Sequence, residues 1–126
     1  MGGVLLIPVE LNGKSTEFLF DPGAAITIIS QKYVDYFDVP VDTTRRTELF
    51  VAHDEPVYAP RSIIEKIRVG GIVRKNLPIN IIHFPSKSTL RGLIGMNFLK
   101  GLRFTVETDT GTLILREIQK TKPRLK

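Results

Sequence analysis

Asp21 is the residue best placed to do chemistry, because the apolar run Phe18-Leu19-Phe20 delivers its carboxylate into the tight loop Asp21-Pro22-Gly23-Ala24. A second apolar run, Ile26-Thr27-Ile28-Ile29-Ser30, follows at once. A strand that ends in an acidic loop and resumes as another strand holds a carboxylate at a sheet edge on a rigid support, where it can act as an acid or base in fixed geometry. Asp, Pro and Gly are also what an ordinary turn requires, so Asp21 has a purely structural reading as well. Other chemistries have little to work with. The chain contains no Cys, which excludes thiol catalysis, disulfides and thiolate metal sites. His53 and His83 stand thirty residues apart with no ligand pattern around them, so no metal site and no cofactor is expected.

The elements that must position Asp21 read mostly as short β-strands. Val4 to Leu11 and Ser15 to Phe20 flank Asn12-Gly13, the strongest two-residue signal for a tight hairpin, since both positions must tolerate positive φ. Ser30 is placed to cap a short helix over Gln31 to Phe37, which Pro40 stops, and Asp38 to Arg46 reads as loop. Glu48 to Val51 and Val57 to Ile67 are β-like runs around Ala52-His53-Asp54-Glu55-Pro56, and Gly70-Gly71 turns the chain into a further strand, Ile72 to Ile82. His83 to Arg91 is a polar loop, followed by Leu93-Ile94-Gly95 and a short helix from Met96 to Lys100 that Gly101 ends. Phe104 to Glu107 and Thr112 to Leu115 form a last hairpin.

The stretch Phe18 to Ser30 resembles the active-site segment of retropepsin-like aspartic proteases: apolar residues, Asp-Thr/Ser-Gly-Ala, then an apolar strand. Asp21, Gly23 and Ala24 match that pattern, and Pro22 stands where Thr or Ser is usual. About seventy residues on, Leu93-Ile94-Gly95 and Met96-Asn97-Phe98-Leu99 are similar to the family's apolar-apolar-Gly element and the helix after it. With the two terminal hairpins the likeness spans about residues 4 to 118 and is closest to the cellular, non-viral branch. It implies a mostly β, closed-barrel acid-protease fold with one or two short helices. It also implies one protease domain over 1–118, a basic tail over 119–126, and Asp21 as the catalytic residue. In such proteins a hairpin closes over the bound peptide, and His53, Asp54 and Glu55 sit at the tip of the corresponding hairpin here, which also reads as an ordinary surface hairpin. Asp109-Thr110-Gly111 spells the family's catalytic tripeptide literally, but Thr112 follows it and two alternating runs flank it, so it is assigned to a turn.

Aspartic proteases activate a water between two carboxylates that share one proton, because two like charges in contact cannot both ionise. At 126 residues the chain is one domain and supplies one suitable Asp, so the second must come from another copy. The resemblance thus implies a homodimeric endopeptidase taking an extended peptide or protein substrate. Pro22 has neither a hydroxyl nor an N–H, so the hydrogen-bond lattice that the usual Thr or Ser builds under the two Asp loops cannot form in its normal way. The alternative is therefore a weak or inactive module that keeps the fold and binds peptides or dimerises.

Net charge is +5, but the excess is local, since Arg116, Lys120, Lys122, Arg124 and Lys126 face only Glu117 in the last eleven residues. Of the 18 basic and 13 acidic residues, 13 and 12 remain in the body, too balanced for a nucleic-acid groove. No apolar run is long enough to span a bilayer, and Met1 to Ile7 has neither a signal-peptide pattern nor a myristoylation signal. A cytoplasmic location is the favoured expectation.

Overall fold

The computed structural model describes residues 5–50 and 56–118, with the side chains of 43, 45–50 and 56–58 left aside. Among the described residues nine strands form: β1 Leu6–Leu11, β2 Lys14–Phe20, β3 Thr27–Ser30, β4 Asp42–Phe50, β5 Pro56–Val69, β6 Ile72–Ile82, β7 Gly92–Ile94, β8 Leu102–Glu107 and β9 Thr112–Glu117. One short helix, α1 Met96–Leu99, follows β7. The first hairpin forms at the expected turn, with Asn12 at φ 49° and Gly13 at φ 85°. Both values lie in the left-handed region that Asn and Gly tolerate best. Gly70 and Gly71 turn β5 into β6, and Gly101, at φ 82°, ends α1.

Hydrogen-bonded neighbours run β1-β2-β7-β3-β6-β5, and a further β1–β5 pairing closes these six strands into a ring, with β4 attached outside β5. The closing contact is antiparallel, Glu10 opposite Arg68 and Leu11 opposite Ile67. Closure leaves the ring no free edge, and alternation along each strand fills its interior. Ile7, Val9, Leu11, Phe18, Phe20, Ile29, Ile64, Ile67, Ile79 and Ile94 all belong to this core. β7 arrives late in sequence yet lies between β2 and β3, parallel to the first and antiparallel to the second. The chain between β2 and β3 must therefore cross the end of β7, and that crossing contains Asp21.

Three local expectations change. The helix expected over Gln31 to Phe37 is a single 3₁₀ turn, Gln31–Tyr33, capped by the Ser30 hydroxyl and followed by further turns. Asn12 Nδ2 holds the Phe37 carbonyl at 2.8 Å, Lys14 Nζ bonds the Tyr36 carbonyl and pairs with Asp38 at 3.6 Å, and Phe37 packs edge-on against Phe18. These tertiary contacts fold the segment onto the hairpin tip more tightly than a regular helix would allow. The loop expected over Asp38 to Arg46 becomes strand from Asp42 onward. Its pairing with β5 slips between Asp42, opposite Arg61, and Arg46, opposite Pro60. The Thr44 amide turns back to Asp42 Oδ1 at 2.9 Å within this bulge, which hides the strand's period in the sequence. The β-like run expected over Val57 to Ile67 is the longer Pro56–Val69. His53, Asp54 and Glu55 lie outside the described residues, as does the basic stretch 119–126.

Candidate active site

Asp21 closes the end of β2. Its amide donates to the Ile94 carbonyl at 3.0 Å, so the β2–β7 ladder runs one step past the strand and fixes the Cα of Asp21 to the barrel. The next residues form a tight turn in which the Ala24 amide donates to the Asp21 carbonyl at 3.1 Å. Pro22 occupies the second turn position, where a φ near −65° suits it and its missing N–H leaves no donor orphaned. The Gly23 amide donates to Asp21 Oδ1 at 3.1 Å. A Cβ on Gly23 would stand 3.3 Å from that same oxygen, so a side chain here would press on the carboxylate. The other carboxylate oxygen makes no hydrogen bond among the described residues, and Asp21 is half-buried beside exposed Pro22 and Gly23.

The expected partner element, Leu93-Ile94-Gly95, sits directly beneath this loop. The Met96 amide donates to the Ala24 carbonyl at 2.8 Å and the Asn97 amide to the Ala25 carbonyl at 3.2 Å. The Gly95 amide donates to the buried Thr27 hydroxyl at 3.1 Å. Gly95 has a specific reason to be glycine, since a Cβ there would lie 2.4 Å from the Ile26 carbonyl oxygen and 2.5 Å from its carbon. Backbone passes over backbone at this point.

Thr27 and Asn97 were not singled out from the sequence, and they complete the clamp. Asn97 Oδ1 accepts the Thr27 amide at 2.7 Å while its Nδ2 donates to the Pro78 carbonyl at 2.6 Å. One side chain thus joins the Asp21 loop, α1 and β6. The available signal was an Asn in the first turn after a glycine and a Thr inside an apolar run, types favoured where side chains bond to backbone.

Asp109 is elsewhere. Residues 108–111 form the turn of the β8–β9 hairpin, with Gly111 at φ 68° and all four exposed. Asp109→Asn is expected to leave both melting temperature and any peptide hydrolysis unchanged within error, because Asn serves a turn as well as Asp. Thermal unfolding and initial-rate assays check this. Among the described residues no group of three or more His, Asp or Glu side chains converges as a metal site, and no helix is long and apolar enough to cross a membrane.

A six-stranded ring with a late strand inserted under an Asp-Pro-Gly loop defines a fold of the acid-protease kind, and comparison with solved structures agrees. A retropepsin-like aspartic protease from Rickettsia conorii superimposes with a TM-score of 0.66 at 19% identity, covering 90% of this chain and 81% of that one. The retroviral protease-like domain of Ddi1 from Leishmania major gives 0.62 at 17% identity, over 94% and 92% of the two chains. The EIAV protease complexed with the inhibitor HBY-793 gives 0.60 at 14% identity, over 79% and 88%. No curated protein sequence matches the chain. Residues 7–101 match the family model described as "gag-polyprotein putative aspartyl protease", and the chain belongs to that family, with a mostly β, retropepsin-like fold.

Proposed function

We propose that this protein is a homodimeric aspartic endopeptidase in which Asp21 and its symmetry mate hold and activate a water that attacks the scissile peptide carbonyl. The observation that carries this reading is the placement of Asp21: its backbone is locked to β7, one oxygen is bound by the Gly23 amide, and the other is left for a water or substrate. Apposed across a two-fold axis, the two carboxylates share one proton, so one accepts the water's proton while the protonated group polarises the carbonyl.

A dimer is supported by β8 and β9. They pair with each other and, among the described residues, with no strand of the ring, and they leave Phe104 and Val106 exposed on the ribbon. Phe20, the residue before Asp21, meets Phe104 edge-on at 5.2 Å, so this ribbon touches the base of the Asp21 loop. A two-stranded ribbon with free outer edges and two exposed apolar side chains is a natural surface for a second copy. An extended substrate then lies in the cleft between copies, held by main-chain hydrogen bonds.

Purified protein incubated with a mixed peptide library from acid to neutral pH, with and without a statine-type transition-state inhibitor, tests the class. Inhibitor-sensitive cleavage is expected, with an optimum below neutral pH because the pair must retain its shared proton. Activity that rises steadily into the alkaline range, or that a chelator abolishes, contradicts the reading.

Pro22 supports a second reading, a weak or inactive module that keeps the fold, because it brings no hydroxyl to the dimer axis. Each missing hydrogen bond is worth about 0.5–1.5 kcal/mol, so two lost by symmetry weaken association by roughly one to two powers of ten. Pro22→Thr is expected to tighten the dimer and raise specific activity at low protein concentration. Sedimentation and activity over one dilution series read both effects, and identical dissociation constants and specific activities for the two forms would refute the role given to Pro22.

A further inference from the structure

An open cavity of about 640 Å³ lies between the first hairpin and the segment that leads into β7, with Leu6, Thr16 and Glu17 on one side and Lys87 and Arg91 on the other. The second side is fixed in place. The Arg91 carbonyl accepts the Ser30 amide at 2.9 Å, the Ser88 hydroxyl accepts the Leu90 amide at 3.2 Å, and the Ser86 carbonyl accepts the Lys32 ammonium at 3.3 Å. Alternate residues of a strand share a face, so Glu17 and Leu19 of β2 and, one step past the strand, Asp21 point away from the core that takes Thr16, Phe18 and Phe20. At about 3.3 Å per residue, Glu17 and Asp21 stand about 13 Å apart along this face. Cavity and carboxylate are joined by half-buried Leu19, which lies opposite Leu6 and beside Leu93.

Arg91 gives this cavity its chemistry. Its Nη1 donates to the Thr16 hydroxyl at 3.3 Å, and its Cζ stands 4.9 Å from the centre of the Tyr33 ring. Hydroxyl and ring hold the guanidinium without neutralising it. Among the described residues no carboxylate, Glu17 included, lies within ion-pair distance of Arg91 or Lys87. Arg91 is half-buried and lines the cavity, so its remaining N–H groups, which have no protein acceptor among the described residues, are open to whatever enters. Two cations against one carboxylate leave the lining positive.

We propose, resting on the protease reading, that this cavity is a substrate subsite for an acidic side chain, whose carboxylate is bound by Arg91 and attracted by Lys87. A guanidinium matches a carboxylate in both charge and hydrogen-bond geometry. Thr16 and Tyr33 already order the Arg91 side chain, so little freedom is lost when the acid binds. An extended peptide rises about 3.3 Å per residue, which brings a side chain about three or four residues from the scissile bond to the cavity. In a two-fold dimer the same preference falls on both sides of that bond. A neutral amide gains only a weaker hydrogen bond here, and a cation is repelled.

The test uses cleaved peptides that differ only by glutamate, glutamine or lysine at one position, scanned along the chain. Glutamate and glutamine have nearly the same shape, so the ratio of their kcat/KM values reads charge, and it is independent of how much protein is folded. Wild type is expected to favour glutamate over glutamine by about tenfold at a position about three or four residues from the cleaved bond, and to disfavour lysine there. Added salt should shrink the preference. Arg91→Met should bring the ratio to one or below, since Glu17 then faces the acid unopposed, while Arg91→Lys keeps part of it. Glu17→Gln, at an exposed position, should raise the ratio about threefold, and Lys87→Met, also exposed, should lower it by a similar factor. If Arg91→Met does not fold, these two opposite shifts decide, because an acid held in this cavity responds to both. Three results overturn the subsite and leave the protease reading standing: wild-type ratios near one at every position, a preference that survives in folded Arg91→Met, or, without that variant, one that Glu17→Gln and Lys87→Met leave unmoved. A wild type that cleaves no peptide overturns the protease reading, and this inference with it.

Discussion

Asp21→Asn is expected to lower kcat/KM for any cleaved peptide by at least about a thousandfold and to leave the melting temperature essentially unchanged. The side-chain oxygen of Asn accepts the Gly23 amide as the carboxylate Oδ1 does at 3.1 Å, and the backbone bonds to Ile94 and Ala24 do not involve the side chain. What the variant loses is the ability to take a proton from water. In the proposed dimer, two such losses would leave no base at the centre. Unfolding curves run beside initial-rate measurements separate the chemical effect from a structural one. Retention of a tenth of the wild-type rate by a folded variant would remove Asp21 from the mechanism.

Gly95→Ala damages the site through the backbone. The added methyl would stand 2.4 Å from the Ile26 carbonyl oxygen and 2.9 Å from the Thr27 amide nitrogen, and neither atom belongs to a side chain that can rotate away. The loop carrying Asp21 must lift off β7, lengthening the Gly95–Thr27 and Thr27–Asn97 hydrogen bonds, now 3.1 and 2.7 Å. Overpacking of this kind costs about 1–3 kcal/mol or more, and losing a buried hydrogen bond adds to that. A fall in melting temperature of about 10 °C is expected, with activity lost further than stability accounts for, because a displacement of about 1 Å at a reacting group is worth roughly a hundredfold. Gly71→Ala is the control, since a Cβ at Gly71 meets nothing within 4 Å. Equal melting temperatures for the two variants would contradict the close crossing.

Much of this architecture is legible in the sequence where the determinants are local. Asn12-Gly13 and Gly70-Gly71 mark turns because few other residues accept those backbone angles, and both hairpins form there. Leu93-Ile94-Gly95 and the short helix after it can be read from order and spacing. Long-range relations cannot be read in this way. Thr27 and Asn97 are seventy residues apart, and nothing in either residue type announces that one will hold the other's backbone. The β1–β5 pairing that closes the ring, the bulge that masks the start of β4 and the contacts that compress the segment after Ser30 are likewise properties of the packed chain. Arg91 is the clearest case. In the sequence it ends a polar loop, and only the packed chain sets its guanidinium on the Tyr33 ring and against the Thr16 hydroxyl.

The dependence of rate on composition in mixtures of wild type and Asp21→Asn, exchanged to equilibrium at constant total protein, tests the paired-carboxylate centre most directly. If each centre needs Asp21 from both copies, the rate follows the square of the wild-type fraction, and an equal mixture retains about a quarter of the wild-type activity. A rate linear in that fraction, with about half retained at equal amounts, would mean that one Asp21 suffices and would contradict the account.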